Sequence, residues 1–265
     1  GCRRDRGLKI TRPIRIEPAE SAPARVVFDC EDSGVLYSME VLETDSFAVG
    51  QLDLARVDVR RTRSATHSLV GGQGLRASGT NTRILLHDSS ISGSQAAAMT
   101  TMTADEGRGG WVAISSGGRL EASGSTIGPC TAIDYGGGVF VRDPTSSVVL
   151  DGCQLVGSSA GRSGGGVYAS AGAAVTLIST NVTNNHAMAG SGGGMYVDAA
   201  SSLQTTDSWV EGNEASAGGG GIFIELPSSD EDSAGVSRVA SSVVGSNTAR
   251  FGGGMALFSR SGAEA

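Results

Sequence analysis

YGGGVFV (135–141), SGGGVYA (163–169), SGGGMYV (191–197), GGGGIFI (218–224) and FGGGMAL (251–257) are five copies of one pattern. Their last glycines, Gly138, Gly166, Gly194, Gly221 and Gly254, stand 28, 28, 27 and 33 residues apart. A period of this size marks a solenoid, because one unit cannot bury its apolar face until the next unit stacks on it. Residues 1–265 therefore read as a single solenoid, with irregular first coils over 1–46 and regular coils over 47–257. Because the chain opens on Gly1 and stops at Ala265 inside a repeat, this reading expects both ends to be cut from a larger protein with further domains.

Outward from the glycines, an eight-residue unit recurs as LDLARVDV, ILLHDSSI, LEASGSTI, VVLDGCQL, VTLISTNV, LQTTDSWV and SRVASSVV. It ends at Val59, Ile91, Ile127, Leu155, Val182, Val210 and Val244, and it starts at Leu52, Ile84, Leu120, Val148, Val175, Leu203 and Ser237. Two places before the end stand Val57, Ser89, Ser125, Cys153, Thr180, Ser208 and Ser242, small residues that suit a narrowing bend. After the last glycine, Leu75, Trp111, Val139, Val167, Met195, Ile222 and Met255 form an inward column, and Ala77, Ala113, Val141, Ala169, Val197, Ile224 and Leu257 a second. Each coil then holds three short strands, two in the eight-residue unit and one after the glycines. Strands this short gain stability by pairing in parallel with their equivalents one repeat away. The glycine runs suit turns that enter the left-handed region or bring backbones together. Ser94, Cys130, Ser158, Asn185, Asn213 and Asn247 recur three places after the unit, and the asparagines read as an internal hydrogen-bonded ladder.

Composition narrows the function classes. Forty-one glycines are about twice the ordinary share, yet enough Val, Leu and Ile remain to line a core. A net charge of −7, with basic residues scattered beyond residue 63, argues against nucleic acid and anionic lipid as partners. The Arg-rich stretch around LKITRPIRIE, with Ile10, Ile14 and Ile16 on one face of a strand, reads as a solvated first coil; no aromatic residues interleave there to stack on bases. No run of 18 apolar residues provides a membrane span. Cys2, Cys30, Cys130 and Cys153 lack metal-ligand spacing and are expected unpaired.

The pairing of GGG[VMI][YF] with turns such as WVEGNEASAGGGGIFI and NVTNNHAMAGSGGGMYV resembles the GGA(I/L/V) and FxxN repeats of the chlamydial polymorphic outer-membrane protein family. Val182, Val210 and Val244 stand here where that family has Phe. More broadly the chain is similar to right-handed parallel β-helix proteins of the pectin-lyase-like class. The resemblance implies an all-β, right-handed parallel β-helix, exposed at the cell surface or secreted.

Enzymes of that class resemble polysaccharide lyases and hydrolases with clustered acids on one outer face. Here Asp53, Leu85, Glu121, Val149, Thr176, Gln204 and Arg238 share one outward column, which is no such site. Asp134, Asp143 and Asp151 come nearest, at different places around a coil. His67, His87 and His186 read as isolated surface or turn residues, and no nucleophile and base are expected at related positions of neighbouring coils. The stronger candidate is an outward aromatic stripe of Phe140, Tyr168, Tyr196 and Phe223, which offers ring faces to a sugar or an apolar patch to a protein. The alternative is that these rings pack on one another or on a neighbouring loop. Two insertions, 95–108 and 225–235, break the period; Asp230, Glu231 and Asp232 in the second are candidate Ca²⁺ ligands, against a solvated acidic loop. Asn181-Val182-Thr183 is a glycosylation sequon. No catalytic residue, no cofactor and no firm metal site follow from the sequence. The expected role is non-catalytic adhesion or recognition of a glycan or protein, with a carbohydrate-active enzyme and a structural spacer as alternatives.

Overall fold

The structure, a computed structural model, describes residues 8–19, 25–29, 39–42, 50–60, 74–93, 111–227 and 235–259. Among these residues every regular element is a strand, and the strands form sheets of nine, eight, eight and five members in which the paired strands run parallel. No helix among them is long and apolar enough to cross a membrane.

Each strand pairs with the strand one repeat on, so like residues meet. Leu52, Ile84, Leu120, Val148, Val175 and Leu203 are successive register partners in one eight-stranded sheet. Val59, Ile91, Ile127, Leu155, Val182, Val210 and Val244 are successive partners in the other. Strands 14–16 and 26–29 join these two sheets in register, with Ile14 opposite Leu52 and Val26 opposite Val57, while strands 8–10 and 39–42 pair in the nine-stranded sheet, with Leu8 opposite Met39. Most of the inward columns merge into one apolar core, and Leu52, Ile84, Leu120, Leu155 and Leu203 are wholly buried, whereas Leu257, expected inward, is 60% exposed.

Three sequence expectations need correction. The nine-stranded sheet takes Val112 and Ile114, and not Trp111 and Ala113, as the partners of Leu75 and Ala77. The indole of Trp111 lies over Gly74, where its ring atoms occupy the place a Cβ of Gly74 would take. Trp111 therefore packs on bare backbone ahead of the strand, and Ala113 moves to the outward row opposite Phe140. The second correction adds a fourth strand. Thr131–Ala132, Ser159–Ala160, His186–Ala187, Glu214–Gly218 and Thr248–Phe251 form the five-stranded sheet, with Ala132, Ala160, Ala187 and Ala215 buried. Several of these strands hold two residues, too few to show alternation. Third, Ile10, Ile14 and Ile16 do not share a strand: Leu8–Ile10 lies in the nine-stranded sheet and Ile14–Ile16 in an eight-stranded one. The break falls at Pro13, which cannot donate to a ladder.

The glycine run divides its labour, as SGGGVYA illustrates. Gly164 turns the chain at φ 70°, in the left-handed region that L side chains rarely adopt. Gly165 has an ordinary φ but faces backbone: a Cβ there would meet the Gly193 carbonyl oxygen at 2.3 Å and the His186 nitrogen at 2.5 Å.

Candidate functional site

The aromatic stripe occupies one row of the nine-stranded sheet, where Ala113, Phe140, Tyr168, Tyr196, Phe223 and Ala256 are successive partners. In-register parallel pairing brings the rings into a stack. Phe140 and Tyr168 lie 5.7 Å apart between centroids at 5°, Tyr168 and Tyr196 4.8 Å at 5°, and Tyr196 and Phe223 5.3 Å at 8°. Phe258 extends the stack at 6.1 Å from Phe223.

The stripe is not uniformly open. Phe140 and Phe223 are only 4% and 5% exposed, whereas Tyr168 and Tyr196 are half-buried. Period-two alternation sends all four away from the coil interior, but that does not leave all four to solvent. The accessible part centres on Tyr168, against which Tyr135 packs at 4.5 Å and 39°. Arg162, an exposed residue, lies 5.8 Å over the Tyr135 ring, donates to its hydroxyl at 3.3 Å and pairs with Asp134 at 3.3 Å. Three half-buried tyrosines beside a guanidinium make an amphipathic patch, with ring faces for apolar contact and polar edges for hydrogen bonds.

At the other side of the patch the Tyr196 hydroxyl donates to Glu225 at 2.5 Å. Burial first, then this hydrogen bond to a carboxylate, holds the Tyr196 phenol well above the usual tyrosine range. The alkaline absorbance change that is lost in Tyr196→Phe is expected to fall well above the unperturbed tyrosine value of ~10. Glu225→Gln is expected to move it back toward that value, and a Tyr196 change already complete at the unperturbed value in the parent would contradict the contact. The stability sign follows. A folded-state pKa above the unfolded value gives stabilisation that is complete below the unfolded value near ~10 and is lost as the pH rises through the folded one.

The asparagines form a ladder in which each donates an amide N–H to a backbone carbonyl of the preceding coil, and Asn185 and Asn213 also donate to the next rung. Asn185 Nδ2 donates to Leu155 O at 2.9 Å and to Asn213 Oδ1 at 3.0 Å; Asn213 Nδ2 donates to Val182 O and Asn247 Oδ1, both at 2.9 Å. Their oxygens accept the backbone N–H of the previous rung at Ser158, Asn185 and Asn213. Sequence reasoning missed a second ladder in the small-residue column. Val57 N–H donates to Ser89 Oγ, Ser89 N–H to Ser125 Oγ, Cys153 N–H to Thr180 Oγ1, Thr180 N–H to Ser208 Oγ and Ser208 N–H to Ser242 Oγ. The signal was present as a column of hydroxyls. Cys130 and Cys153 are buried and form no disulfide, and burial pushes the Cys153 thiol up.

Asp134, Asp143 and Asp151 form no converging site. Asp134 pairs with Arg162, while Asp143 pairs with Arg142 and accepts from Ser116 N–H. Among the described residues no group of three acids, histidines or cysteines is placed to hold a metal. Asp230, Glu231 and Asp232, the whole 95–108 insertion, His67, Ser94, Cys2 and Cys30 lie outside the described residues. His186 sits in the five-stranded sheet opposite Ser159 and Glu214.

His87 overturns the expectation that no nucleophile and base share related positions. It is the register partner of Ser123, and its Nδ1 lies 2.9 Å from Ser123 Oγ. One-sequence reading lost this pair because the two residues are 36 positions apart, across the longest break in the period. Comparison with protein-family models, curated proteins and solved structures finds no match for this chain.

Proposed function

We propose that this chain is a right-handed parallel β-helix, with regular coils following the 28-residue spacing of Gly138, Gly166 and Gly194, that serves adhesion or recognition at the cell surface or outside the cell. The observation that supports this reading best is the stacked aromatic row, with Tyr168 and Tyr196 partly open at its centre. Near-parallel rings one strand apart present a repeating apolar ledge, and the C–H face of a sugar or an apolar side chain of a protein packs on such a ledge. Arg162 and Asp134 at its edge supply hydrogen bonds that would fix orientation. In-register pairing from coil to coil holds the row in place, so little ordering entropy would oppose binding.

A glycan array probed with the purified protein tests this directly, followed by titration of the best ligand. Tyr168→Ala combined with Tyr196→Ala is expected to weaken binding about tenfold or more, given ~0.5–1.5 kcal/mol for each aromatic contact. Phe140→Leu is expected to leave it unchanged, because Phe140 is buried. Equal affinity of parent and double variant for a confirmed ligand would sink the proposal. A structural spacer is the second reading, favoured by the burial of Phe140 and Phe223.

A further inference from the structure

A second polar cluster lies on the eight-stranded sheet that begins with Ile14–Ile16, a different sheet from the aromatic row. Ala55, His87, Ser123 and Asp151 share one register row there. The residues before them, Leu54, Leu86, Ala122 and Leu150, are buried, so this row faces outward. Ser123 and His87 are both partly accessible, the His87 side chain 46% exposed. Asp53 sits two residues before Ala55 on the same strand, hence on the same face.

The distances arrange three groups in series. Ser123 Oγ is 2.9 Å from His87 Nδ1, and His87 Nε2 is 3.8 Å from Asp53 Oδ1. The Asp53 side chain is only 9% exposed; its Oδ2 faces Arg15 at 3.5 Å, while Oδ1 is buried with no hydrogen-bond partner. A buried carboxylate oxygen without a donor is costly and rare in folded proteins. A shift of the imidazole by about 1 Å would give Oδ1 the Nε2–H as its donor, within normal hydrogen-bond range. That bond would set the tautomer and leave Nδ1 as the acceptor facing the serine hydroxyl.

We propose that Ser123 is a nucleophile for acyl transfer from carboxylic esters, with His87 as its base and Asp53 as the positioning residue. The lone pair of Ser123 Oγ attacks the ester carbonyl carbon as its proton passes to His87 Nδ1. Collapse of the tetrahedral intermediate breaks the carbon–oxygen bond to the alcohol, which leaves with the proton from Nδ1. Water then attacks the acyl-serine, gives a proton to Nδ1, and the acid departs as that proton returns to Ser123 Oγ. The site lies on an open sheet face, which suits a short acyl group on a larger exposed carrier. The N–H of Gly124 next to the serine already donates to Asp151 O at 3.0 Å, so it is not free for an oxyanion. Turnover is accordingly slow, and covalent capture of the serine is the sensitive readout. This activity goes beyond recognition by the aromatic row and does not depend on it.

The test is reaction of the whole chain with a fluorophosphonate, read by intact mass and peptide mapping. The expected result is one label per chain at Ser123, none in Ser123→Ala, and a rate about 100-fold lower or more in His87→Gln. A far-downfield imidazole N–H proton in the NMR spectrum, lost in Asp53→Asn, is expected if Asp53 positions the ring. Circular dichroism and thermal midpoints matching the parent show that the variants fold. No label above the Ser123→Ala background, or equal labelling of the parent and His87→Gln, would overturn the proposal. Absence of the downfield proton in the parent would remove Asp53 from it.

Discussion

Gly165→Ala is expected to lower the unfolding free energy by about 3 kcal/mol, near the upper end of overpacking costs. The added methyl would sit 2.3 Å from the Gly193 carbonyl oxygen and 2.5–2.6 Å from the nitrogen and carbonyl carbon of His186. These are backbone atoms of the next coil, and those coils are tied to their neighbours by in-register strands on several sheets. No flexible side chain can swing away, so relief requires parting two coils and stretching the hydrogen bonds between them. Gly245→Ala is the matched control. Its Cβ would meet nothing closer than 3.8 Å, and a change within about 0.5 kcal/mol is expected. Urea unfolding of both variants beside the parent measures the difference. Equal midpoints for Gly165→Ala and the parent would show that bare backbone at this glycine does not set the coil separation.

Asn213→Ala is expected to cost a similar amount, about 3 kcal/mol, by a different route. Asn213 is 1% exposed and holds four hydrogen bonds with its side chain. Truncation leaves the backbone N–H of Asn185 and the carbonyl of Val182 without the partner each has in the ladder. Each orphaned buried group costs about 1–3 kcal/mol. Asn213→Asp separates hydrogen bonding from shape. An ionised carboxylate there would turn an oxygen toward the Val182 and Asn247 oxygens, both acceptors, so its folded-state pKa would rise above the unfolded ~3.9. A raised carboxyl pKa means that stability is regained as the pH falls through the folded value and is fully present only below the unfolded one. Asn213→Asp should therefore recover toward the parent on acidification while Asn213→Ala shows no such recovery, measured as the difference from the parent at each pH. Parallel pH profiles for the two variants would argue against a donor role for Nδ2.

Where like meets like, single-chain reading succeeded. Val59, Ile91, Ile127 and their successors could be aligned because parallel in-register stacking places each residue beside its equivalent. The asparagine rungs were visible for the same reason. Legibility failed where one coil departs from its neighbours. Trp111 shifted a strand by one place because an indole found its space over Gly74, a contact between coils that no periodicity records. Two-residue strands such as Thr131–Ala132 and Ser159–Ala160 were too short to alternate. The hydroxyl ladder was read as narrowing alone, since small size and hydrogen-bonding capacity look alike in Ser and Thr.

By itself, the repeat determined strands with parallel pairing, most of the inward columns of the core and the row that stacks Phe140, Tyr168, Tyr196 and Phe223. The physical reason is that strands too short to persist alone must pair with their repeats, and the same side chains then recur at the same height. The tertiary structure alone decided which members of an outward row are open, burying Phe140 and Phe223 while leaving Tyr168 and Tyr196 partly accessible. It also decided that Asp53, His87 and Ser123 meet, from strands of three different coils. Alternation along a strand says only in or out; exposure and diagonal contact depend on what neighbouring coils place alongside.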